Sequence, residues 1–214
     1  MENNKLSNSV IILANGEFPN HPIPFKLLEE TQLIICCDGA VDKLLKLDKT
    51  PDFIIGDMDS ISRVTKEMFE NKIIEINRQT DNDLSKAIKW SVENGVKEIT
   101  ILGATGIRED HTLGNLSLIQ NLKYRIKIQI VTNFGIFTLV QNNQTFESFV
   151  GQQVSIIADN PTIKITSRNL KYPLNDTKLK HLHLGTLNES ISDNFAIEIS
   201  QGNILVFQSF IDCD

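Results

Sequence analysis

FIIGDMDS, residues 53–60, is the stretch from which the fold of this chain can be predicted. A short run rich in isoleucine ends at Gly56, and Asp57 and Asp59 follow with one residue between them. Short apolar runs of this kind are typical of the buried strands of parallel sheets. Because ligands bind beyond the carboxyl ends of such strands, the two aspartates are predicted to lie at the mouth of a ligand site.

Five more apolar runs share this character, and helix-like segments lie between them. The runs are 9–15, 33–40, 72–77, 98–104 and 127–133, and the helical segments are 41–48, 62–71, 84–96 and 113–125. Alternation of short strands and helices predicts a Rossmann-like, open parallel α/β sheet. We therefore assign residues 1–133 to an N-terminal α/β domain.

The pattern changes after residue 133 to short runs of two-residue alternation separated by polar turns. These runs are 135–141, 144–150, 152–159, 162–167, 180–185, 195–200 and 203–210. They predict an antiparallel β-sandwich, to which we assign residues 134–214. His181 and His183 alternate within one run and are interpreted as part of a half-exposed strand, because no third zinc ligand with suitable spacing is evident.

The composition is typical of a soluble globular protein, with 41% hydrophobic and 22% charged residues. A formal net charge of -6 argues against partners such as nucleic acids or anionic membranes. No apolar run approaches the roughly 18 residues of a membrane span, and the polar N-terminus does not resemble a signal peptide. Cys36 and Cys37 are adjacent in a predicted strand, so a disulfide framework is not expected. We expect a cytoplasmic protein in a reducing compartment.

Polar motifs follow five successive predicted strands. They are LANGE, CDGA, GDMDS, RQTDND and GATGIREDHT. One polar loop would be weak support for a site, because loops are generally polar. Since the carboxyl ends of parallel strands share one edge of the sheet, five such motifs together predict a single site there.

Asp57 and Asp59 are the first candidates for a metal site within it. Residues two apart in extended backbone face the same side, so their carboxylates can converge. A divalent cation would relieve the repulsion between them, and Mg²⁺ prefers hard oxygen ligands. The alternative is an Asx turn in which both residues cap a helix that begins near Ser60. Spacing alone favours the cap, and the companion motifs reverse that preference.

Two further motifs could complete such a site. In the segment 80–83, one residue is expected to cap the following helix, which would leave Asp81 free to join the cation. Lys86 is then either a solvated helix residue or a phosphate contact. The glycine-rich segment 103–111 could bind phosphate through its backbone N–H groups, with Arg108 as a clamp. Asp110 and His111 remain open as ligands, acid/base groups or caps.

Together these motifs resemble those of the thiamine pyrophosphokinase family. The matching stretches are CDGA (37–40), PDFIIGDMDS (51–60), QTDNDLSKA (79–87), GATGIREDHTLGN (103–115) and LKYPL (170–174). The resemblance covers nearly the whole chain. It implies an N-terminal catalytic domain that binds ATP and Mg²⁺, and a C-terminal β-sandwich that binds thiamine. It also implies a homodimer with the substrate site at the subunit interface.

The same resemblance implies roles for individual residues. Asp57, Asp59 and Asp81 match the catalytic, metal-binding aspartates. The nucleotide site is matched by Asp38, Gly103, Thr105, Arg108, Asp110 and His111. The thiamine site is matched by Gln79, Asp81, Tyr172, Thr186 and Asn188. The segment GTLNES (185–190) departs from the G-x-x-S-N-E stretch that is usual in the family.

The reaction implied is transfer of a diphosphate from ATP to the hydroxyl of thiamine, which gives thiamine diphosphate and AMP. Three alternatives stay open: a diphosphokinase for another alcohol such as a hydroxymethylpterin, a Mg²⁺-dependent nucleotide phosphatase, and a non-catalytic nucleotide sensor. Three convergent carboxylates argue against the sensor, because nucleotide binding alone does not require them.

Overall fold

The computed structural model describes residues 6–78 and 80–210. Contacts between Cα atoms divide these residues into two compact units. The first unit contains the described residues up to Asn115 together with Ile126–Asn133. The second unit contains Leu116–Arg125 together with the described residues from Phe134 onward. The predicted domain boundary at residue 133 stays a prediction.

The first unit contains the six predicted parallel strands. They are β1 (Ser9–Leu13), β2 (Ile34–Cys37), β3 (Phe53–Gly56), β4 (Ile73–Glu75), β5 (Glu98–Leu102) and β6 (Lys127–Val131). Their order in the sheet is β6-β5-β1-β2-β3-β4, and each adjacent pair is parallel. The side chains of β2 are buried throughout, as expected for a strand covered on both faces. The predicted parallel α/β sheet is confirmed.

Five helices accompany these strands in the described part of the chain. They are α1 (Pro22–Glu30), α2 (Ala40–Leu44), α3 (Arg63–Met68), α4 (Asp83–Glu93) and α5 (Glu109–Gln120). Short 3₁₀ turns follow α2 and α3. The sequence pattern missed α1, whose first turn is set by Pro22 and by the His21 side chain accepting a hydrogen bond from the Ile23 amide. Helix α5 begins four residues earlier than predicted, at Glu109.

The second unit contains eight antiparallel strands. They are β7 (Gly135–Val140), β8 (Gln144–Glu147), β9 (Gln153–Ile157), β10 (Lys164–Arg168), β11 (Thr177–Lys178), β12 (Asn188–Glu189), β13 (Asn194–Ile199) and β14 (Ile204–Ser209). Strands β12-β9-β14-β7 form one layer and β11-β10-β13-β8 form the other. An apolar core lies within the unit, and the Phe146 and Phe195 rings stack there at 4.9 Å. This arrangement confirms the predicted β-sandwich.

The prediction of a strand over residues 180–185 is wrong. Leu182–Gly185 forms a 3₁₀ turn, in which the amide of Thr186 donates to the carbonyl of His183. Gly185 lies so close to β9 that an added Cβ would be 2.0 Å from the Ile156 carbonyl oxygen, so the glycine allows this contact. Across the described residues, the helices are too short or too polar to traverse a bilayer.

Candidate functional site

The ends of β2 and β3 bring three carboxylates together. Asp38, Asp57 and Asp59 each place one oxygen within 4.8 Å of the others. Asp38 directly follows β2, and the other two follow β3. The parallel register that pairs Cys37 with Ile55 sets the two strand ends side by side. The spacing of Asp57 and Asp59 predicted that their carboxylates converge. In the structure, Asp38 from the neighbouring strand joins them.

Asp38 is held firmly but keeps one oxygen without a partner. Its amide donates to the Ile55 carbonyl at 3.0 Å, and its Oδ2 accepts from the Ser60 amide at 3.0 Å. Its Oδ1 is buried and has no hydrogen-bond partner among the described residues. Burial raises the pKa of this carboxyl to about 6, despite the hydrogen bond from Ser60. A buried oxygen of this kind is a candidate cation ligand.

Gly56 allows two acidic side chains to approach each other at the end of β3. An added Cβ at this position would lie 2.9 Å from the Asp38 Cβ and 3.2 Å from the Asp83 Cγ. Contacts that short require the neighbouring groups to shift. The glycine thus provides the space in which Asp38 and Asp83 flank the strand end.

Asp83 is joined to Asp57 through Lys86. The Lys86 Nζ lies 2.8 Å from Asp83 Oδ1 and 3.3 Å from Asp57 Oδ2. Burial lowers the pKa of Lys86, but its hydrogen bond to Asp83 and the charges of both carboxylates outweigh that effect, so the pKa lies above its usual value. The sequence analysis expected Lys86 to be either a solvated helix residue or a phosphate contact. In the structure it forms an internal ion pair with Asp57 and Asp83 instead.

The exposed carboxylate of Asp59 completes the acidic cluster at the surface. Its Oδ1 accepts a hydrogen bond from the Ser60 hydroxyl at 2.9 Å, which with the nearby groups lowers the pKa of Asp59. Helix α3 begins at Arg63, and its cap is Ser62, whose hydroxyl accepts from the Thr65 amide. The alternative in which Asp57 and Asp59 cap this helix is wrong.

Asp81 lies apart from the carboxylates gathered at β2 and β3. It forms an ion pair with Arg78 at 2.5 Å. The cap of α4 is Asn82, whose side chain accepts from the Ser85 amide at 2.9 Å. Asp83, in the first turn, is the acidic residue of this segment that reaches the cluster. Its spacing of three residues from Lys86 was the signal in the sequence that could have identified it.

A cavity of about 340 Å³ opens beside the cluster. Among the predicted site residues, its walls include Asp38, Gly103, Arg108 and His111. The Asn115 side chain holds the glycine-rich turn in place, because it donates to the Ala104 carbonyl at 2.7 Å. Asn82, Asn115 and Asn15 also line the cavity and were missed by the sequence analysis.

The predicted phosphate clamp, Arg108, is paired with Asp110. Its Nε and Nη2 donate to the two carboxylate oxygens at 3.1 and 2.6 Å, and both side chains are exposed. This hydrogen bond lowers the pKa of Asp110 to about 2. Thr105 contributes its backbone carbonyl, which accepts from the Glu17 amide at 2.8 Å. The pair uses two of the five N–H donors of the guanidinium, so Arg108 can also donate to a phosphate.

A second cavity, of about 230 Å³, lies in the β-sandwich unit. Tyr172, Thr186 and Asn188 line it together with several apolar side chains. Asn188 is buried; its Oδ1 accepts from the Tyr172 amide at 3.0 Å and its Nδ2 donates to the Tyr172 carbonyl at 2.8 Å. Leu187, with φ of 61° and 82% exposure, was missed by the sequence analysis. Gln79 lies outside the described residues.

Family models match both halves of the chain. Residues 25–132 match "Thiamin pyrophosphokinase, catalytic domain", and residues 135–207 match "Thiamin pyrophosphokinase, substrate-binding domain". The thiamine pyrophosphokinase of Bacillus subtilis (strain 168) is 26% identical over 221 residues, which covers 94% of this chain and 98% of that protein. Thiamine pyrophosphokinase 1 of Oryza sativa subsp. japonica is 25% identical over 203 residues, covering 80% and 75%.

Solved structures show the same fold. The crystal structure of the Bacillus subtilis thiamine pyrophosphokinase has a TM-score of 0.79 at 26% identity, and the match covers 94% of this chain and 98% of that one. A thiamin pyrophosphokinase from Candida albicans has a TM-score of 0.78 at 20% identity, covering 95% and 89%. The second of these likenesses supports the fold alone.

Proposed function

The chain belongs to the thiamin pyrophosphokinase family, and we propose that its carboxylate cluster is where diphosphate passes from ATP to the hydroxyl of thiamine. The products are thiamine diphosphate and AMP. The observation that carries the activity is the pair of matching family models, catalytic and then substrate-binding, in one chain. The named relatives act on thiamine, which favours thiamine over a hydroxymethylpterin and a transferase over a phosphatase.

Asp38, Asp57 and Asp59 would hold Mg²⁺ in this proposal. Their grouped oxygens are the hard ligands that Mg²⁺ prefers, and it commonly binds one or two carboxylates together with substrate phosphates. The partnerless Oδ1 of Asp38 supports the fit. Asp38 is favoured over Asp81 as the third carboxylate, because Asp81 is engaged with Arg78.

The reaction would proceed by in-line attack. The thiamine hydroxyl oxygen forms a bond to the β-phosphorus, the bond from that phosphorus to the oxygen of AMP breaks, and the hydroxyl proton passes to a base. Bound Mg²⁺ would neutralise charge on the phosphate oxygens. Asp81, beside the expected thiamine position, remains a candidate for orienting the hydroxyl or accepting its proton. The work of the protein is positioning and charge neutralisation.

The glycine-rich turn and Arg108 would bind the nucleotide. Backbone N–H groups at the start of α5 suit phosphate oxygens, and Gly103 has φ of 66°, a conformation that favours glycine. Arg108 would form charge-assisted hydrogen bonds to phosphate with the donors that its pair with Asp110 does not use. Asp38, Thr105, Asp110 and His111 are proposed as further parts of the nucleotide site.

Thiamine would contact the second unit through the cavity at Tyr172, Thr186 and Asn188. Gln79 is kept as a further proposed thiamine contact. Tyr172, Leu184 and Leu187 are exposed apolar side chains at this cavity. Exposed apolar patches mark interaction sites, which supports the proposal of a homodimer in which the substrate site lies at the subunit interface. The free thiols of Cys36 and Cys37 suit a reducing compartment, and we propose the cytoplasm.

One incubation tests the proposed activity. The protein is mixed with ATP and Mg²⁺, and thiamine, a hydroxymethylpterin or no alcohol is added. AMP is expected only in the incubation that contains thiamine, and in an amount equal to that of thiamine diphosphate. AMP formation with the pterin would favour the other alcohol, and release of inorganic phosphate without any alcohol would indicate a phosphatase.

A further inference from the structure

We propose that Lys86 is a positioning residue that, through its bridge to Asp83, holds the proposed cation ligand Asp57 in the orientation that cation binding requires, an inference that rests on the cation site proposed above. Lys86 acts through the two carboxylates that it joins.

The burial of Lys86 is the first observation. Its side chain is only 1% exposed. It is one of the largest fully buried side chains among the described residues. An ammonium group removed from water is costly unless it is paired and hydrogen-bonded. On the same helix, Lys89 has a 40% exposed side chain and only a 3.8 Å contact with Glu93. Lys86 is thus among the residues that α4 buries, and its charge is compensated there by Asp57 and Asp83.

The geometry of the ion pairs is the second observation. Lys86 binds Oδ2 of Asp57 and Oδ1 of Asp83, so each carboxylate retains a second oxygen. The lysine thereby ties the first turn of α4 to the residue that follows β3. This connection fixes the rotation of the Asp57 carboxylate, as partners behind the ligands commonly do in metal sites.

Positioning matters for the cation expected here. Mg²⁺ requires nearly ideal octahedral geometry, so a rotated carboxylate binds it less well. A positioning lysine strengthens cation binding, because it holds the carboxylate in place. A lysine that served only as a counter-charge would weaken cation binding, because its positive charge repels the cation. Removal of a positioning lysine weakens cation binding, whereas removal of a simple counter-charge strengthens it. The sign of the change distinguishes the two roles.

The test is a titration of the nucleotide-free protein with Mn²⁺, followed by electron paramagnetic resonance. Lys86→Met removes the ammonium and keeps most of the stem, and Lys89→Met is the matched control on the same helix. We expect Lys86→Met to weaken Mn²⁺ binding roughly tenfold or more, and Lys89→Met to leave it unchanged. Unchanged or tighter binding in Lys86→Met overturns the inference.

A kinetic readout separates positioning from a loss of overall structure. With Mg²⁺ held constant, Lys86→Met should lower kcat and leave the KM for thiamine unchanged. If Lys86→Met does not fold, Lys86→Gln carries the same test: its side chain is uncharged and one bond shorter, so it does not hold both carboxylates, and weaker Mn²⁺ binding is expected. Failure of the wild-type protein to bind Mn²⁺ overturns the cation site and this inference with it, whereas normal wild-type binding with no effect of the variants overturns the inference alone.

Discussion

The two units present their candidate binding residues in different ways. In the α/β unit, Asp38 and Asp57 follow adjacent parallel strands, and backbone pairing fixes the register between those strands. In the β-sandwich unit, Tyr172 and Thr186 lie in irregular segments, and Tyr172 is tied by hydrogen bonds to the side chain of Asn188. The first set is charged and partly buried, and the second borders exposed apolar side chains.

This difference suggests a division of work. Charge neutralisation in a transition state requires groups held in fixed positions, which strand ends provide. Recognition of a ring by an apolar surface tolerates more variation in sequence. We therefore expect substitutions in the first set to change kcat, and substitutions in the second set to change the KM for thiamine.

Asp57→Asn should have the largest effect. It keeps the shape of the side chain and removes a carboxylate from the cluster, so kcat is expected to fall about a thousandfold. The rate of AMP formation measures the change. Asp48→Asn is the matched control, because Asp48 is exposed and its φ of 54° suits asparagine. Near-wild-type activity of Asp57→Asn with normal Mg²⁺ dependence would remove Asp57 from the site.

Gly56→Ala should have the next largest effect. Its methyl group would lie against Asp38 and Asp83, and displacement of a catalytic group by about 1 Å can cost roughly a hundredfold in rate. Activity assays and circular dichroism measure turnover and folding together. Gly114→Ala is the control, because the added Cβ on this helix would point into open space. Full activity of Gly56→Ala would show that the approach of the two acids is unimportant.

The change of cation affinity with pH should be smaller than the effects of these two substitutions on the rate. The folded protein holds a proton on Asp38 up to about pH 6, whereas the unfolded chain releases it near the ordinary value of 3.8. Without a cation, the stability associated with that proton is lost as the pH rises through about 6. A cation needs the deprotonated form, so Mn²⁺ affinity should rise roughly tenfold from about pH 5 to about pH 7. In Asp38→Asn this rise should disappear; a rise that persists there would assign it to another group.

Tyr172→Ala should have the smallest effect and should act on binding alone. The side chain is 61% exposed, so its loss leaves the sandwich core intact. We expect the KM for thiamine to rise about fivefold, in line with one partly buried aromatic contact, and kcat to stay unchanged. Steady-state kinetics with varied thiamine measure both constants. A fall in kcat with constant KM would contradict the division of work between the units.

The strands of the α/β unit could be predicted from the sequence because each is a short apolar run with polar ends. The role of Asp38 in the acidic cluster could not, since it depends on the register between β2 and β3. The burial of Lys86 was also missed, because hydrophobic periodicity assigns a charged residue to the solvent side. In fact α4 buries Leu84, Ala87 and Ile88, and Lys86 lies beside that face, within reach of Asp83.

The segment 180–190 was the least predictable part of the candidate site. Its alternation of leucine and histidine fits a strand, yet the chain forms a 3₁₀ turn there. Close contact between Gly185 and β9 decides this conformation, and such a contact between distant residues leaves no local pattern. Helix α1 was missed for a different reason: it is only nine residues long, and its first turn contains two prolines, which are usually taken to break a helix although they fit its first turn.

The most direct test of the central claim follows the fate of the phosphates of ATP. ATP is labelled in either the β- or the γ-phosphorus and incubated with thiamine, Mg²⁺ and the wild-type protein or Asp57→Asn. Transfer of a whole diphosphate predicts that either label appears entirely in thiamine diphosphate, that AMP carries none, and that Asp57→Asn forms almost no labelled product. Label released as free phosphate, thiamine monophosphate that carries only the γ-label, or full transfer by Asp57→Asn would contradict the account.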